Sequence, residues 1–329
     1  LNPYLTQMAN IREHLAWTTK DKAAATEKAK SMVAAAVARV VRQEPLEPSY
    51  VDVNPSTLVV GGGIAGIQAA LELADAGYHV YMVEREPSIG GHMAQFDKTF
   101  PTLDCSACIL TPKMSDVGLH DNITLWTYAE LEELSGSVGN FHAKIRKHPK
   151  YVNEDLCTGC GICIEKCPWS VVDNVFEAGL GQRKVVYRPF PQAVPKYPVI
   201  DADNCIYFQR GKCKACQIFC PTQPNSIDFE QKDEVLEIEI GNIILATGYD
   251  LFDVSRIPQY GYGRLANVFT SLEFERMVNA AGPTAGKIVL RDMETPPQSV
   301  AIIHCVGSRD ENYHKYCSKV CCMYSLKFA

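Results

Sequence analysis

Two cysteine runs, "CTGCGICIEKCP" at 157–168 and "NCIYFQRGKCKACQIFCP" at 204–221, constrain this chain more than any other feature. In the first, Cys157, Cys160, Cys163 and Cys167 are spaced C-x2-C-x2-C-x3-C and followed by Pro168, a spacing with which thiolates hold four-iron four-sulfur cubanes. Gaps of two residues let three sulfurs wrap one cubane from a tight loop. Gly159 and Gly161 permit the turn, and Pro168 directs the fourth sulfur away. In the second run Cys205, Cys213, Cys216 and Cys220 again end on proline, Pro221, but the first gap is longer. Two zinc knuckles would also use eight thiols, yet a zinc site has no reason to carry the C-x3-C-P ending twice. Iron-sulfur chemistry is the expectation, with "IYFQRGK" as an expanded loop that alters access to one cluster or its potential.

Composition narrows the setting. The chain has 329 residues, room for two or three domains, and a net charge of -6, which gives no footprint for nucleic acid. No apolar run approaches the roughly 18–20 residues that a membrane span requires. The start, "LNPYLTQMANIREHLAW", lacks the basic-then-apolar pattern of a secretory leader, so a cytoplasmic, reducing location is expected. Fourteen cysteines in such surroundings point to metal rather than disulfides.

Upstream, "STLVVGGGIAGIQAALELADAGYHVYMVERE" runs an apolar strand (Leu58 to Val60) into Gly61, Gly62, Gly63, Ala65 and Gly66 and then an Ala-rich helix. Glycines there permit a tight turn and bring a pyrophosphate close to the helix N-terminus. The next strand, "HVYMVE", ends on Glu84, placed to accept from ribose hydroxyls, with Arg85 beside it. "REPSIGGHMAQ" then puts Gly90 and Gly91 just after the acidic residue, which resembles two-dinucleotide-binding flavoproteins and favours FAD over NAD. Far downstream, "EIEIGNIILATGYD" ends a strand on Ala246, Thr247 and Gly248, similar to the second FAD fingerprint of thioredoxin-reductase-like enzymes, whose strand returns beside the first.

The cysteine runs lie between the two fingerprints, so the cluster module is expected as an insertion. They resemble bacterial two-cluster ferredoxins, whose crossed pattern implies one cluster on Cys157, Cys160, Cys163 and Cys220 and a second on Cys167, Cys205, Cys213 and Cys216. Over nearly its whole length the chain resembles the HdrA family of heterodisulfide reductases, iron-sulfur flavoproteins. The carrying stretches are "NIREH", "ATEKAK", "VVGGGIAGIQAALELA", "GGHMAQFDKTFPTLDCSACILTPKM", both cysteine runs, "CVGSRD" and "YCSKVCCMYSLKFA". The resemblance implies FAD, several 4Fe-4S clusters and flavin-based electron bifurcation, with two-electron input split between a disulfide-type acceptor and ferredoxin. It implies as partners other subunits of such a complex and a hydrogenase- or formate-dehydrogenase-type donor. The competing readings are a glutamate-synthase-small-subunit-like NAD(P)H oxidoreductase and a non-catalytic cluster-bearing electron wire.

Two departures stand out. Leu15 follows "NIREH" where family members carry a cysteine, and family members continue well beyond this length. A split gene, a processed fragment, or completion by a partner chain or a second copy is therefore expected.

The expected fold is α/β: a thioredoxin-reductase-like FAD-binding Rossmann domain with an inserted two-cluster ferredoxin-like (α+β) domain and a truncated second Rossmann-like unit. The expected boundaries are 1–50 for an N-terminal helical extension, 51–148 and 236–270 for the two parts of the FAD domain, and 149–235 for the insert. Residues 271–329 would start a degenerate NAD(P)-like domain. The extension reads as one long helix with Met32, Val33, Ala36, Val37, Val40 and Val41 as an apolar docking stripe, closed by Pro45 and Pro48. In the last segment "SLEFERMVNAAG" reads as a helix and "SVAIIHCVGSRD" as a strand, but no second GxGxxG follows. In its place Cys305 ends the strand, while Cys317 and Cys321 lie four apart on one helix face with Cys322 about 100° round the axis. A third 4Fe-4S cluster on Cys305, Cys317, Cys321 and Cys322 is the expectation. Cys105 and Cys108 form half a site, equally open to cluster ligation with partners elsewhere and to plain buried or redox-active thiols.

Overall fold

The computed structural model describes residues 2–47 and 50–328, which divide into two compact units between Asp52 and Val53. In the first unit, the Asp21 carboxylate caps α1 (Lys22–Val40) by accepting from the Ala24 N–H at 2.8 Å, and the alanines sustain 19 residues of helix. The helix ends ahead of Pro45, whereas Pro48 lies outside the described residues. No residue of α1 is buried; Val33 and Val37 of the apolar stripe are exposed and Met32, Ala36 and Val40 half-buried. Leu15 is buried, within a π-helical turn at Arg12–Ala16.

The second unit is built on β1 (Thr57–Val60), α2 (Ile64–Asp75), β2 (Val80–Glu84), α3 (Ser106–Leu119) and β3 (Ile123–Thr127). These alternate strand and helix, so the strands pair in parallel with the helices on one face. Period-two alternation decides which side chain goes where. Val59 and Met82 face Ile67, Ala70, Leu110 and Met114 of the helices, and Leu58 and Val83 face the other way. Each of the valine, leucine, isoleucine and methionine side chains among these, essentially out of water, contributes about 1.5–3 kcal/mol.

The opposite face is covered by an antiparallel meander of β4 (Ala129–Ser137), β5 (Asn140–Lys147) and β10 (Glu234–Ile240), through Ala129, Ala143, Ile145 and Ile240. Directly after β10, strand β11 (Asn242–Leu245) pairs in parallel with β1, Thr57 opposite Asn242 and Val60 opposite Leu245, giving the sheet order β11-β1-β2-β3. The chain leaves β5 at Lys147 and enters β10 at Glu234, and those two residues face each other in the ladder.

Between them, residues 148–233 form α4 (Ile162–Lys166), β6 (Ser170–Asp173), β7 (Gln182–Lys184), β8 (Val186–Tyr187), β9 (Val199–Ile200), α5 (Ile206–Arg210) and α6 (Ala215–Ile218). Strands β6 and β7, and β8 and β9, make two small antiparallel ladders. Their shared core holds Val152, Val185, Val186, Ile200, Ile227 and Phe229 together with Cys163, Cys167 and Cys216.

After β11, Thr270 and Glu273 form a capping box that starts α7 (Ser271–Val278). From 279 to 320 there is no regular helix or strand, and the chain reaches α8 at Cys321–Leu326. The strand expected from "SVAIIHCVGSRD" is not formed: Val300, Ile302 and Ile303 are exposed. A strand requires ladder partners for its N–H and C=O groups, and no described strand lies beside this one.

Candidate functional site

The glycine turn sits at the C-terminal ends of β1, β2 and β11, where a parallel sheet presents its crevice. Gly61 (φ +106°) lies so close to β11 that a Cβ there would stand 2.3 Å from the Ala246 carbonyl oxygen. At Gly66 a Cβ would come within 2.0 Å of the Gly61 oxygen, so this glycine lets α2 close against the turn. Gly62 backs onto Ile89. Gly63, with an ordinary φ of -74°, differs from all three: a Cβ there would meet nothing within 4 Å. It is the N-cap of α2, and no side chain caps that end, so the first N–H groups and the positive helix end face open space. Gly90 and Gly91 complete the rim, Gly90 (φ +127°) bridging to Gly63 and Gly91 (φ +54°) lying against its Cα.

Glu84 is buried, accepting from the Gly62 N–H at 2.7 Å and the Glu86 N–H at 2.8 Å; burial pushes its carboxyl up against the pull of those two bonds. Each oxygen keeps a lone pair for a ribose hydroxyl. Arg85 is largely exposed, as are Ala65, Thr247 and Gly248. The residues fit a dinucleotide: an uncapped helix end, a glycine-only face over it, and a carboxylate at the second strand's end. Sequence reasoning missed the support around them. The His92 ring stacks on Tyr249 at 4.7 Å and lies 2.8 Å from the Gln95 Oε1, tying the Gly90–Gly91 loop to the segment after β11.

The eight cysteines of 148–233 separate into two pockets. Cys157, Cys160, Cys163 and Cys220 line the first, with Thr158, Pro198, Thr222 and Ser226. Cys167, Cys205, Cys213 and Cys216 line the second, with Trp169, Val185, Val186 and Phe229. Three thiols of one run thus meet the last thiol of the other, in both directions. Gly161 (φ +81°) supplies the left-handed cap before α4, so that Cys163 points inward while Cys160 stays exposed. Burial pushes the Cys163 thiol up to about 11 and the Cys216 thiol up to about 12. At Cys220 burial also pushes up, but hydrogen bonds from Ser226 and Thr222 outweigh it and bring the thiol down to about 7. Among the described residues no three His, Cys, Asp or Glu side chains converge tightly enough for a single metal ion. The thiols surround pockets instead, and these donor sets fit sulfur-rich clusters.

In the last segment Cys322 is pushed up by desolvation and then by the nearby thiols of Cys321, Cys305 and Cys317, so the four expected residues lie near one another. Cys317 is not on the helix, however. Lys319 adopts φ +60°, a left-handed conformation that no helix can continue through, and α8 begins only at Cys321. Cys317 Sγ instead accepts from the Lys319 N–H at 3.4 Å. Helix α8 is fastened by buried polar contacts: Glu275 of α7 accepts from the Tyr324 hydroxyl at 2.6 Å and from the Lys327 ammonium. Cys105 and Cys108 are joined to each other as a disulfide at the start of α3, Cys105 half-buried and Cys108 exposed, with Cys105 Sγ accepting from the Cys108 N–H.

Two families of known proteins match parts of the chain. The family described as an NAD(P)-binding Rossmann-like domain matches residues 59–117, and a 4Fe-4S binding domain matches residues 150–173. The chain is 55% identical over 331 residues to the HdrA subunit of the H(2):CoB-CoM heterodisulfide,ferredoxin reductase of Methanothermobacter marburgensis, covering 100% of this chain and 49% of that protein. It is 50% identical to the iron-sulfur HdrA subunit of the CoB--CoM heterodisulfide reductase of Methanocaldococcus jannaschii, with the same coverage. An FAD-dependent pyridine nucleotide-disulphide oxidoreductase from Desulfovibrio vulgaris aligns at 20% identity over 29% of this chain and 21% of its own, with a TM-score of 0.21, too slight a likeness to argue from.

Fold and site together define a dinucleotide-binding Rossmann frame that carries a 4Fe-4S binding motif. Over its whole length the chain is similar to HdrA subunits of heterodisulfide reductases, and it spans about half the length of the curated relatives it matches. Among the described residues no helix is long and apolar enough to cross a membrane.

Proposed function

We propose that this chain is the flavin- and cluster-bearing part of a heterodisulfide-reductase-like oxidoreductase. FAD lies with its pyrophosphate over Gly63 at the N-terminus of α2, its ribose on Glu84, and the Gly90–Gly91 and Ala246–Gly248 segments at its sides. Residues 148–233 are an inserted ferredoxin-like module with one 4Fe-4S cluster in each pocket. Cys305, Cys317, Cys321 and Cys322 hold a third. Bound flavin supplies exchange between two-electron and one-electron steps, and the clusters supply one-electron carriers. The chain's own part is to hold these groups, keep Cys163, Cys167 and Cys216 from water, and couple the module to the frame. Two observed contacts do the coupling: Arg276 with Glu177, and Ser88 with Val194. The observation that carries the reading is the sorting of eight thiols into two sets of four, each in its own pocket.

The names of the relatives extend it. A disulfide-type acceptor, ferredoxin and further subunits are the partners we propose, with bifurcation as the reaction. Cys105 and Cys108 act on this reading as a redox-active pair, because they bond to each other. Anaerobic reconstitution followed by iron, acid-labile sulfide, zinc and flavin analysis tests the proposal. Stoichiometric FAD with low-potential EPR signals from at least two clusters is expected; a zinc-loaded protein without flavin refutes it.

A further inference from the structure

The two thiol pockets are chemically unequal. At Cys220 the hydroxyls of Thr222 and Ser226 each lie 3.2 Å from Sγ, and Ser226 also reaches the sulfur of Cys157. The free thiols here stand in for cluster-bound thiolates, which carry no proton, so both hydroxyls must donate. They are free to do so. Thr222 Oγ1 accepts from the Ser226 N–H at 2.9 Å, which uses a lone pair and leaves the hydroxyl proton for sulfur. Ser226 is 1% exposed, and its carbonyl is held by the Asn153 N–H at 2.7 Å, so its hydroxyl is kept in place and away from bulk water. Arg188 adds positive charge on the same side: its Nη2 donates to the Gly159 oxygen at 2.8 Å, and its buried Nε has no partner among the described residues.

The other pocket has no such hydroxyls among the described residues, and the backbone N–H of Gln217 reaches a sulfur there, that of Cys216. Its walls are Pro168, Val185, Val186, Tyr207, Ala215 and Phe229, and no hydroxyl among the described residues hydrogen-bonds its sulfurs. Cys167 faces the Trp169 carbonyl at 3.8 Å, an acceptor with no proton to give a thiolate. The cations of its loop, Arg210, Lys212 and Lys214, are exposed and screened by solvent.

Reducing a cluster adds negative charge to its sulfurs, which hydrogen-bond donors and a nearby guanidinium stabilise and an apolar wall does not. We infer that Ser226 and Thr222 are positioning residues that set the potential of the cluster on Cys157, Cys160, Cys163 and Cys220 and make it the more readily reduced of the module's pair. The first electron entering the module resides there. This rests on the reading of both pockets as cluster sites.

Potentiometric EPR titration of the reconstituted full chain tests it, with iron and sulfide analysis in parallel. Ser226→Ala and Thr222→Val are expected to shift the same wave to lower potential and to leave the others unmoved. Ser226→Thr and Thr222→Ser, which keep a hydroxyl, restore it. An unmoved wave at full iron content overturns the inference, as does a shift in different waves for the two residues. Loss of iron from both hydroxyl-free variants also overturns it, because the hydroxyls would then serve assembly and not potential. A parent protein without iron refutes the cluster reading itself, a separate result from any of these.

Discussion

Gly63 and Gly66 stand three residues apart at the head of α2, but a methyl group added at each would meet different surroundings. At Gly66 it would press on the Gly61 oxygen from 2.0 Å, backbone against backbone, so Gly66→Ala is expected to cost about 1–3 kcal/mol or more through forced movement of the turn. At Gly63 it would meet nothing within 4 Å, so Gly63→Ala should cost only the loss of a good N-cap, up to about 1 kcal/mol. Yet the methyl would occupy the space over the uncapped helix end where a pyrophosphate must approach. Chemical denaturation and flavin retention, measured on both variants, should dissociate: Gly63→Ala keeps most of its stability and loses flavin, and Gly66→Ala loses both. Flavin retained at parental affinity by Gly63→Ala would remove the pyrophosphate from that face. The GxGxxG spacing was legible because each glycine answers a local steric demand. The contacts of His92 with Tyr249 and of Ser226 with Cys220 were not, since each joins residues whose sequence context carries no local signal of the meeting.

Among elements, β1, α2, β2 and β11 were readable from apolar runs and glycine punctuation, and the parallel pairing of β1 with β2 follows from alternating strand and helix. The segment after α7 was not. Its apolar run reads as a strand, but strand formation is decided by neighbours, and a left-handed Lys319 sets the start of α8 where composition gives no sign of it. Helix α8 has six residues, too few to persist by hydrogen bonding alone. Its anchor is the Lys327 ammonium, whose side chain is 3% exposed, against the fully buried Glu275 side chain, with the Tyr324 hydroxyl and the Asp97 N–H on the same carboxylate. Lys327→Met removes the counter-charge from a buried carboxylate, a loss of about 3–5 kcal/mol. We expect amides of 321–328 to lose hydrogen-exchange protection first, and iron assigned to Cys321 and Cys322 to be lost with them while the module keeps its own. Unchanged protection in Lys327→Met would mean that α8 is held by the Phe274–Phe328 ring contact instead.

At the scale of the whole molecule, the ladder between β5 and β10 is the informative feature. Lys147 and Glu234 are direct antiparallel partners, so replacing residues 148–233 by Asn-Gly would close a two-residue hairpin without changing the register of either strand. No fully buried side chain of the sheet core of Val59, Met82, Leu58 and Ile145 comes from the removed segment, although Phe190 and Val194 pack against that core half-buried. The trimmed chain should therefore fold, bind flavin and lack the iron of both pockets. What it loses is a set of fastenings: Arg276 on Glu177 at 2.8 Å, Gln95 on the Phe176 oxygen at 3.0 Å, Lys150 on Thr127 at 2.8 Å, Ser88 on the Val194 oxygen at 3.1 Å, and the apolar contacts of Phe190 and Val194. Arg276, with its side chain 2% exposed, makes the dependence measurable. In the full chain Arg276→Ala leaves Glu177 without its bidentate partner in a poorly hydrated site, at about 3–5 kcal/mol. In the trimmed chain Glu177 is gone and the guanidinium opens to water, so the same substitution should cost under about 1 kcal/mol. The difference between the two denaturation series is the coupling of module to frame. Equal costs in both chains would mean that Arg276 works through its bond to the Gln95 oxygen alone, and that the module is held to the flavin frame by something other than α7.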